Sequence, residues 1–376
     1  MSKPGVYLHI PFCRSRCSYC DFATDIYKSG EAVDRYVSAL VREISKFQIP
    51  NSKFQIDTIY LGGGTPSLLS PKQLEEILNE VHKKFSVDQK SEVTMEMNPA
   101  TVTLENLREF KNLGVNRASF GAQTFDDAEL KRLGRRHTES DVRETIELLR
   151  NADFNNVSFD LIAGLPRQSL KDWERNLNEA LKLKPEHLSL YLLEIHEATP
   201  LAEQIRSGRQ PLPDEDLAAE MYKMMIRKVS ENDYQQYEIS NFCLSGFESK
   251  HNSKYWTLDT VFGFGCSAHS YDGENRRWSN ERDTLKYVES VENESFRHIE
   301  DNETDIKFEY LFLGLRLNRG IEINEYQKRF GTDLVLEYKK QLDYLEKADL
   351  IKFDGDFLRL TDKGFLYSNE VFNAFA

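Results

Sequence analysis

Three of the chain's five cysteines lie in the run Cys13-Arg-Ser-Arg-Cys17-Ser-Tyr-Cys20. The spacing CxxxCxxC puts three thiolates on one short loop. Three thiolates can hold three irons of a cubane iron–sulfur cluster and leave the fourth iron open. An open iron is a Lewis-acid position able to take the amino and carboxylate groups of an amino acid. Two plainer readings compete. A structural zinc site wants four ligands, usually from CxxC pairs, and His9 could serve as the fourth. Alternatively, the three thiols are unrelated neighbours. An odd number of cysteines without a secretory signal does not look like a disulfide framework, so the clustering points to a metal site in a reducing compartment.

The rest of the composition bounds what such a site can serve. The chain has 376 residues, 40% hydrophobic and 30% charged, with a formal net charge of -13. Those values describe a soluble globular protein, and the length suits one large domain and a smaller one. The acidic balance argues against nucleic acid as a partner. Arg132, Arg135, Arg136 and His137 still form a local basic patch suited to a small anionic ligand. The apolar run at residues 6–10 is too short for a secretory signal, and no stretch of about 18 apolar residues predicts a membrane span. A cytoplasmic location is expected. Peripheral membrane contact and a homodimer both stay open.

The elements that must position the cysteines are strands alternating with helices. Apolar runs at 6–10, 58–61, 93–97, 117–121, 157–163 and 188–195 predict six strands. Helical patterns near 31–48, 71–85, 103–113, 126–150 and 169–183 fall between them. Near-continuous apolar strands separated by helices predict a parallel sheet with covered faces. Six units rather than eight predict an α/β fold built on a partial (β/α)6 barrel, with working residues at the C-terminal ends of the strands. From about 303 a smaller α+β unit is expected, with helices at 304–316, 322–330 and 333–348. Two strands at 350–353 and 357–360 follow, joined through Asp354-Gly355, a hairpin signal. Helices followed by a hairpin resemble a winged helix. The expected organisation is a core at 1–235, a connecting region at 236–300 and a C-terminal domain at 301–376.

The motifs around the cysteines resemble the radical SAM superfamily, in the branch that holds the oxygen-independent coproporphyrinogen III oxidases and the HemW heme chaperones. The resemblance begins at Tyr7-Leu-His-Ile-Pro-Phe-Cys13 and Cys17-Ser-Tyr-Cys20. It continues in family order through Gly62-Gly-Gly-Thr-Pro66, Glu96-Met-Asn-Pro99, Phe120-Gly-Ala-Gln123-Thr-Phe125, Leu133-Gly-Arg135-Arg-His137 and Asp160-Leu-Ile-Ala-Gly-Leu-Pro166. It implies a [4Fe–4S] cluster on Cys13, Cys17 and Cys20. It also implies S-adenosylmethionine (SAM) held by Tyr7, Tyr19, Gly63, Gly64, Thr65, Glu96, Gln123, Arg135 and Asp160. The implied chemistry is one-electron cleavage of SAM to methionine and a 5′-deoxyadenosyl radical. Taken alone, each of these residues has a plainer reading. A glycine run is a turn, and Glu96 or Arg135 is a solvated surface charge. Asp160 lies in an apolar strand, where an unpaired carboxylate is costly, so it calls for a donor partner.

Within that branch, the oxidases carry a further cysteine two residues after the third; here the position is Phe22. They also carry a longer segment before the cluster motif. His251-Asn-Ser-Lys-Tyr-Trp256 matches the HNxxYW motif associated with HemW. The resemblance therefore implies a chaperone that binds heme and passes it to acceptor hemoproteins of the respiratory chain, rather than a decarboxylating oxidase. An imidazole is a common axial ligand of heme iron, which makes His251 a candidate heme ligand. The competing reading is a structural histidine beside an aromatic cluster. Cys243 and Cys266 read as buried, inert thiols, with Cys266 as an alternative second heme contact.

Overall fold

In the computed structural model, residues 2–48, 55–301 and 305–375 are described. Six strands run parallel in chain order: β1 (Gly5–Ile10), β2 (Gln55–Gly63), β3 (Ser86–Met97), β4 (Arg117–Gln123), β5 (Val157–Ala163) and β6 (His187–Leu192). Each pairs with the next. Among the described residues β1 and β6 do not pair with each other. The six-stranded core is thus the expected partial (β/α)6 barrel, open rather than closed.

The helices between the strands begin where side chains satisfy their first backbone N–H groups. α1 (Gly30–Lys46) is capped by Ser29, and α3 (Leu104–Asn112) by Thr103. α2 (Pro71–Lys84), α5 (Glu139–Asn151) and α6 (Leu170–Lys182) each start with a reciprocal capping box, built on Ser70 and Gln73, Thr138 and Asp141, and Ser169 and Asp172. A single helix over 126–150 is expected from the pattern, but the structure has two, α4 (Asp127–Arg132) and α5. Gly134 breaks them apart at φ +76°, a conformation glycine adopts without strain. The break brings the Leu133-Gly134-Arg135 turn against the cysteine loop, where Ser18 N donates to Leu133 O at 2.9 Å.

The strands are not apolar on both faces. Val6, Leu8 and Ile10, then Ile59 and Leu61, Phe120, Phe159 and Leu161, and Leu188 and Leu190 join the helices in one large buried core. The alternate residues face inward: Tyr7 stacks on Tyr60, Tyr60 bonds Glu96, Asp160 bonds Ser189, and Thr58 bonds His251. The period-2 alternation of a strand therefore separates an apolar wrapping from a polar barrel interior.

Residues 236–300 extend this sheet on both sides. β7 (Asn241–Cys243) runs antiparallel to β6, and β8 (Val261–Phe264) runs parallel to β1. β9 (His269–Tyr271), β10 (Arg277–Ser279) and β11 (Ile299–Asp301) continue outward in antiparallel pairing. The helix α7 (Glu215–Ser230) packs on α6, and the short helix α8 (Lys250–Trp256) carries the HNxxYW motif. α8 is tied to the chain at and beside the first three strands: Lys254 Nζ bonds Lys3 O at 2.6 Å, just before β1, and pairs with Asp57 of β2 at 2.8 Å, while His251 N donates to Glu92 of β3 at 3.2 Å. α8 thus closes the end of the barrel opposite the cysteines. α9 (Thr284–Glu292) packs on α1.

The C-terminal unit contains α10 (Ile306–Gly314), α11 (Ile323–Phe330) and α12 (Lys339–Lys347); residue 304, the expected start of α10, lies outside the described residues. The pattern over 333–348 divides at Tyr338 into a short turn of helix and α12. β12 (Ile321–Glu322), β13 (Ile351–Asp354) and β14 (Phe357–Leu360) form a three-stranded sheet in the order β12-β14-β13. Gly355, at φ +59°, turns the expected hairpin. The unit meets the barrel through a bridge between Glu238 and Leu317 and through Arg316, whose guanidinium lies 4.5 Å over the Trp256 ring.

Candidate metal centre

Cys13, Cys17 and Cys20 are all half-buried on the loop that follows β1. Phe12 and Cys13 pair briefly with Asp25 and Ile26, which closes the loop on itself. Thr65 Oγ1 lies 3.5 Å from Cys13 Sγ, and Arg135 Nη1 lies 3.5 Å from Cys17 Sγ. Asn98 links these two donors. Its Nδ2 donates to Thr65 Oγ1 at 2.7 Å and its Oδ1 accepts from Arg135 Nη2 at 2.7 Å. Arg135 also donates to Gly121 O. The end of β2 and the α4–α5 turn thus aim donors at two of the three sulfurs, with Asn98 at the end of β3 joining them. Burial raises the Cys13 thiol to about 11, with the neighbouring cysteines adding to the shift and the Thr65 hydroxyl opposing it.

This donor set fits an iron–sulfur cubane. Soft thiolates suit iron, and hydrogen bonds to the sulfurs tune such a cluster. A mononuclear zinc fits less well. Among the described residues no three His, Cys, Asp or Glu side chains converge on one ion position. His9 is also spoken for: Nδ1 bonds Tyr7 Oη at 3.1 Å and Nε2 bonds Ala23 O at 2.8 Å. Burial lowers its imidazole to about 4.

Gly63 explains the glycine run. Its φ is +108°, and a Cβ there would stand 2.5 Å from the His9 ring. A Cβ on Gly64 would stand 2.6 Å from the Pro11 carbonyl carbon. The turn therefore lies directly against β1 and the cysteine loop. Its N–H groups are committed: Gly63 to Glu96 Oε2 at 3.0 Å, Gly64 to Ile10 O at 2.8 Å and Thr65 to Phe12 O at 2.8 Å. What this turn can still offer a ligand is acceptors, which suits an ammonium group.

Deeper in the barrel, Tyr60 Oη donates to Glu96 Oε1 at 2.7 Å. Burial raises Glu96 to about 7 against its hydrogen bonds, and the nearby charge of Asp160 adds to the rise. Asp160 has the donor partner its sequence context demands, the hydroxyl of Ser189, and burial raises it to about 6. Gln123 sits at a bulge with φ +66°, and no described residue bonds its buried side-chain amide. Tyr19 bonds Cys17. The structure thus gathers Tyr7, Tyr19, Gly63, Gly64, Thr65, Glu96, Gln123, Arg135 and Asp160 at one end and in the interior of the barrel. Sequence reasoning passed over Tyr60, Asn98 and Ser189. Asn98 stands inside the motif run Glu96-Met-Asn-Pro99, and Tyr60 and Ser189 sit in register with Tyr7 and Asp160.

His251 lies elsewhere, on α8 at the closed end. It is fully buried, with Nδ1 on Thr58 Oγ1 at 2.9 Å and Nε2 on Tyr255 Oη at 3.2 Å. Its ring stacks on Tyr60 at 5.1 Å and on Tyr7 at 6.3 Å. Burial lowers it to about 3. With both nitrogens engaged, this geometry favours the hydrogen-bonded histidine of an aromatic cluster over an iron ligand. Cys243 and Cys266 are buried in the core, and Tyr36 Oη lies 3.7 Å from Cys266 Sγ.

Comparison with known proteins agrees with this layout. The Radical SAM superfamily profile matches residues 7–180, and the HemN C-terminal domain profile matches 302–367. The heme chaperone HemW of Bacillus subtilis is 37% identical, covering 99% of this chain and 98% of its own. HemW of Escherichia coli is 32% identical over 99% of this chain and 97% of its own. Mitochondrial radical S-adenosyl methionine domain-containing protein 1 of Bos taurus is 34% identical over 96% and 85%. The coproporphyrinogen III oxidase HemN of Escherichia coli shares the fold, with a TM-score of 0.85 at 20% identity over 100% of this chain and 90% of that one. Identity sustained from end to end, on a barrel whose mouth carries the three-cysteine loop, places the chain in the HemW heme-chaperone family of the radical SAM superfamily.

Proposed function

We propose that this chain binds heme and hands it to acceptor hemoproteins, those of the respiratory chain among them. End-to-end kinship with the HemW chaperones carries the reading. Phe22 supports it: where the oxidases have a further cysteine, this chain presents an apolar side chain that is 70% exposed. The cytoplasm is the proposed location; among the described residues no helix is long and apolar enough to cross a membrane.

In this reading Cys13, Cys17 and Cys20 hold the cluster, with Thr65 and Arg135 donating to their sulfurs. The chemistry such a cluster would supply when bound and reduced is a single electron for the SAM sulfonium. The chain's own residues do the rest. Acceptors on the Gly63–Thr65 turn and the Glu96 carboxylate take the SAM amino group. The unpartnered Gln123 amide, Asp160, Tyr7 and Tyr19 orient the remainder. Tyr60 and Gly63 N hold Glu96 in place, and His251 positions Tyr60 and Tyr255 from below. The apolar wrapping keeps water from this interior.

The direct test is delivery. Heme loaded on the chain should pass to an apo-cytochrome faster than free heme enters it, followed by the Soret change; equal rates would remove the chaperone role. Cys17→Ser should lose both the brown absorption and the iron of the anaerobically reconstituted protein; unchanged iron content would refute the cluster assignment. Glu96 makes a pH prediction. Its proton is held more tightly in the folded chain than in the unfolded one, because the pKa rises from 4.5 to about 7. The stability this contributes is complete below the unfolded value and is lost as the pH rises through 7. The ligand-free wild-type chain should lose more melting temperature than Glu96→Gln between about pH 5 and about pH 8. Parallel curves for the two would show that Glu96 is not protonated in the fold.

A further inference from the structure

A cavity of about 760 Å³ lies outside the barrel, between α1, the turn after α9 and the outer strands of the sheet. This is within the range of small-molecule clefts, about 300–1,000 Å³. Its walls are aromatic. Phe47 meets Phe262 at 5.1 Å between ring centroids, Phe262 meets Trp278 at 6.4 Å, and Phe296 meets His298 edge-on at 5.1 Å. Flat, conjugated ligands suit such walls.

One nitrogen in this lining is poised for a metal. Asn280 Nδ2 donates to Glu43 Oε1 and to Gly265 O, both at 2.8 Å. Two acceptors on one side fix the orientation of the amide, so Asn280 Oδ1 faces the other way as an acceptor. It lies 3.0 Å from His298 Nδ1. The proton must therefore sit on Nδ1, which leaves Nε2 with a lone pair and with no hydrogen-bond partner among the described residues. Burial lowers His298 below the usual imidazole range, with the Glu300 carboxylate opposing the shift and the Arg276 charge adding to it, which favours the neutral ring. A ring nitrogen held by an amide that a buried carboxylate orients is the support a metal-binding histidine normally has. His9, His187 and His251 differ in having both ring nitrogens bonded.

The rim carries charge of both signs. Lys46 pairs with Glu294, and Arg276 pairs with Glu300 while lying over Trp278. Asp272 is spent on its own turn, where it accepts from three backbone N–H groups. Arg297 is exposed and has no carboxylate partner among the described residues. It is free to meet an anionic group at the edge of a bound ligand.

We propose that this cavity is a heme site, with His298 Nε2 as an axial ligand to the iron, the aromatic walls against the porphyrin faces and Arg297 at a propionate. The proposal rests on the heme-chaperone reading and places the cargo away from both the cysteine loop and His251.

The test is a heme titration of the full-length, cluster-reconstituted chain, read in the Soret region. H298A should weaken binding about tenfold or more and shift the Soret band. R297E should weaken binding less and leave the band in place. Retained cluster absorption reports that each variant is folded. If H298A binds heme with wild-type affinity and spectrum, this cavity is not the heme site, while the chaperone reading stands. If H298A fails to fold, R297E decides: unchanged affinity refutes the site. If the wild-type chain takes up no heme, the chaperone reading fails and the site fails with it.

Discussion

A polar column inside an open barrel constrains everything else in this molecule. From α8 upward it runs through His251 and Thr58, Tyr7 and Tyr60, then Glu96 and Asp160, to the Gly63 turn and the cysteine loop. Each buried polar group left unpaired would cost about 1–3 kcal/mol. The inward side chains are therefore bonded to one another across strands, and the strands are held in one register. Burial raises the pKa values of Glu96 and Asp160 against these bonds, so the interior accommodates a cationic group more readily than a second anion.

The cysteine loop depends on that column at its top. Thr65, just past β2, and Arg135, on the turn between α4 and α5, reach two of the sulfurs, and Asn98 ties them together. Gly63 lets β2 approach β1 closely enough for this to happen, because the His9 ring occupies the space a side chain would need. The break at Gly134 matters for the same reason. A helix running on from α4 to α5 would carry Arg135 away from Cys17.

How much of this was legible in the sequence follows from the range of each interaction. The cysteines, the six strands and the helix caps depend on spacing within a few residues, and they could be read directly. So could the need of Asp160 for a donor, though not that Ser189 would supply it, since the two meet only once β5 and β6 pair. Tyr60 and Asn98 were missed for the same reason. The polar inward face was hidden because strands with apolar residues on both sides of each polar one read as continuous apolar runs. The position of His251 depended on where α8 docks, and nothing local in HNxxYW shows that it plugs the end of the barrel away from the cluster. The pairing of Asn280 with His298 joins residues on separate segments and has no sequence signature at all.

The measurement that bears most directly on chaperone against oxidase is anaerobic turnover of coproporphyrinogen III. The reconstituted chain would be given SAM, a reductant and an electron acceptor, with protoporphyrinogen and 5′-deoxyadenosine quantified against Cys17→Ser. A chaperone with Phe22 in place of a further cysteine should form no more protoporphyrinogen than that control. Catalytic conversion, with 5′-deoxyadenosine formed in step, would make the chain an oxidase and contradict the chaperone reading.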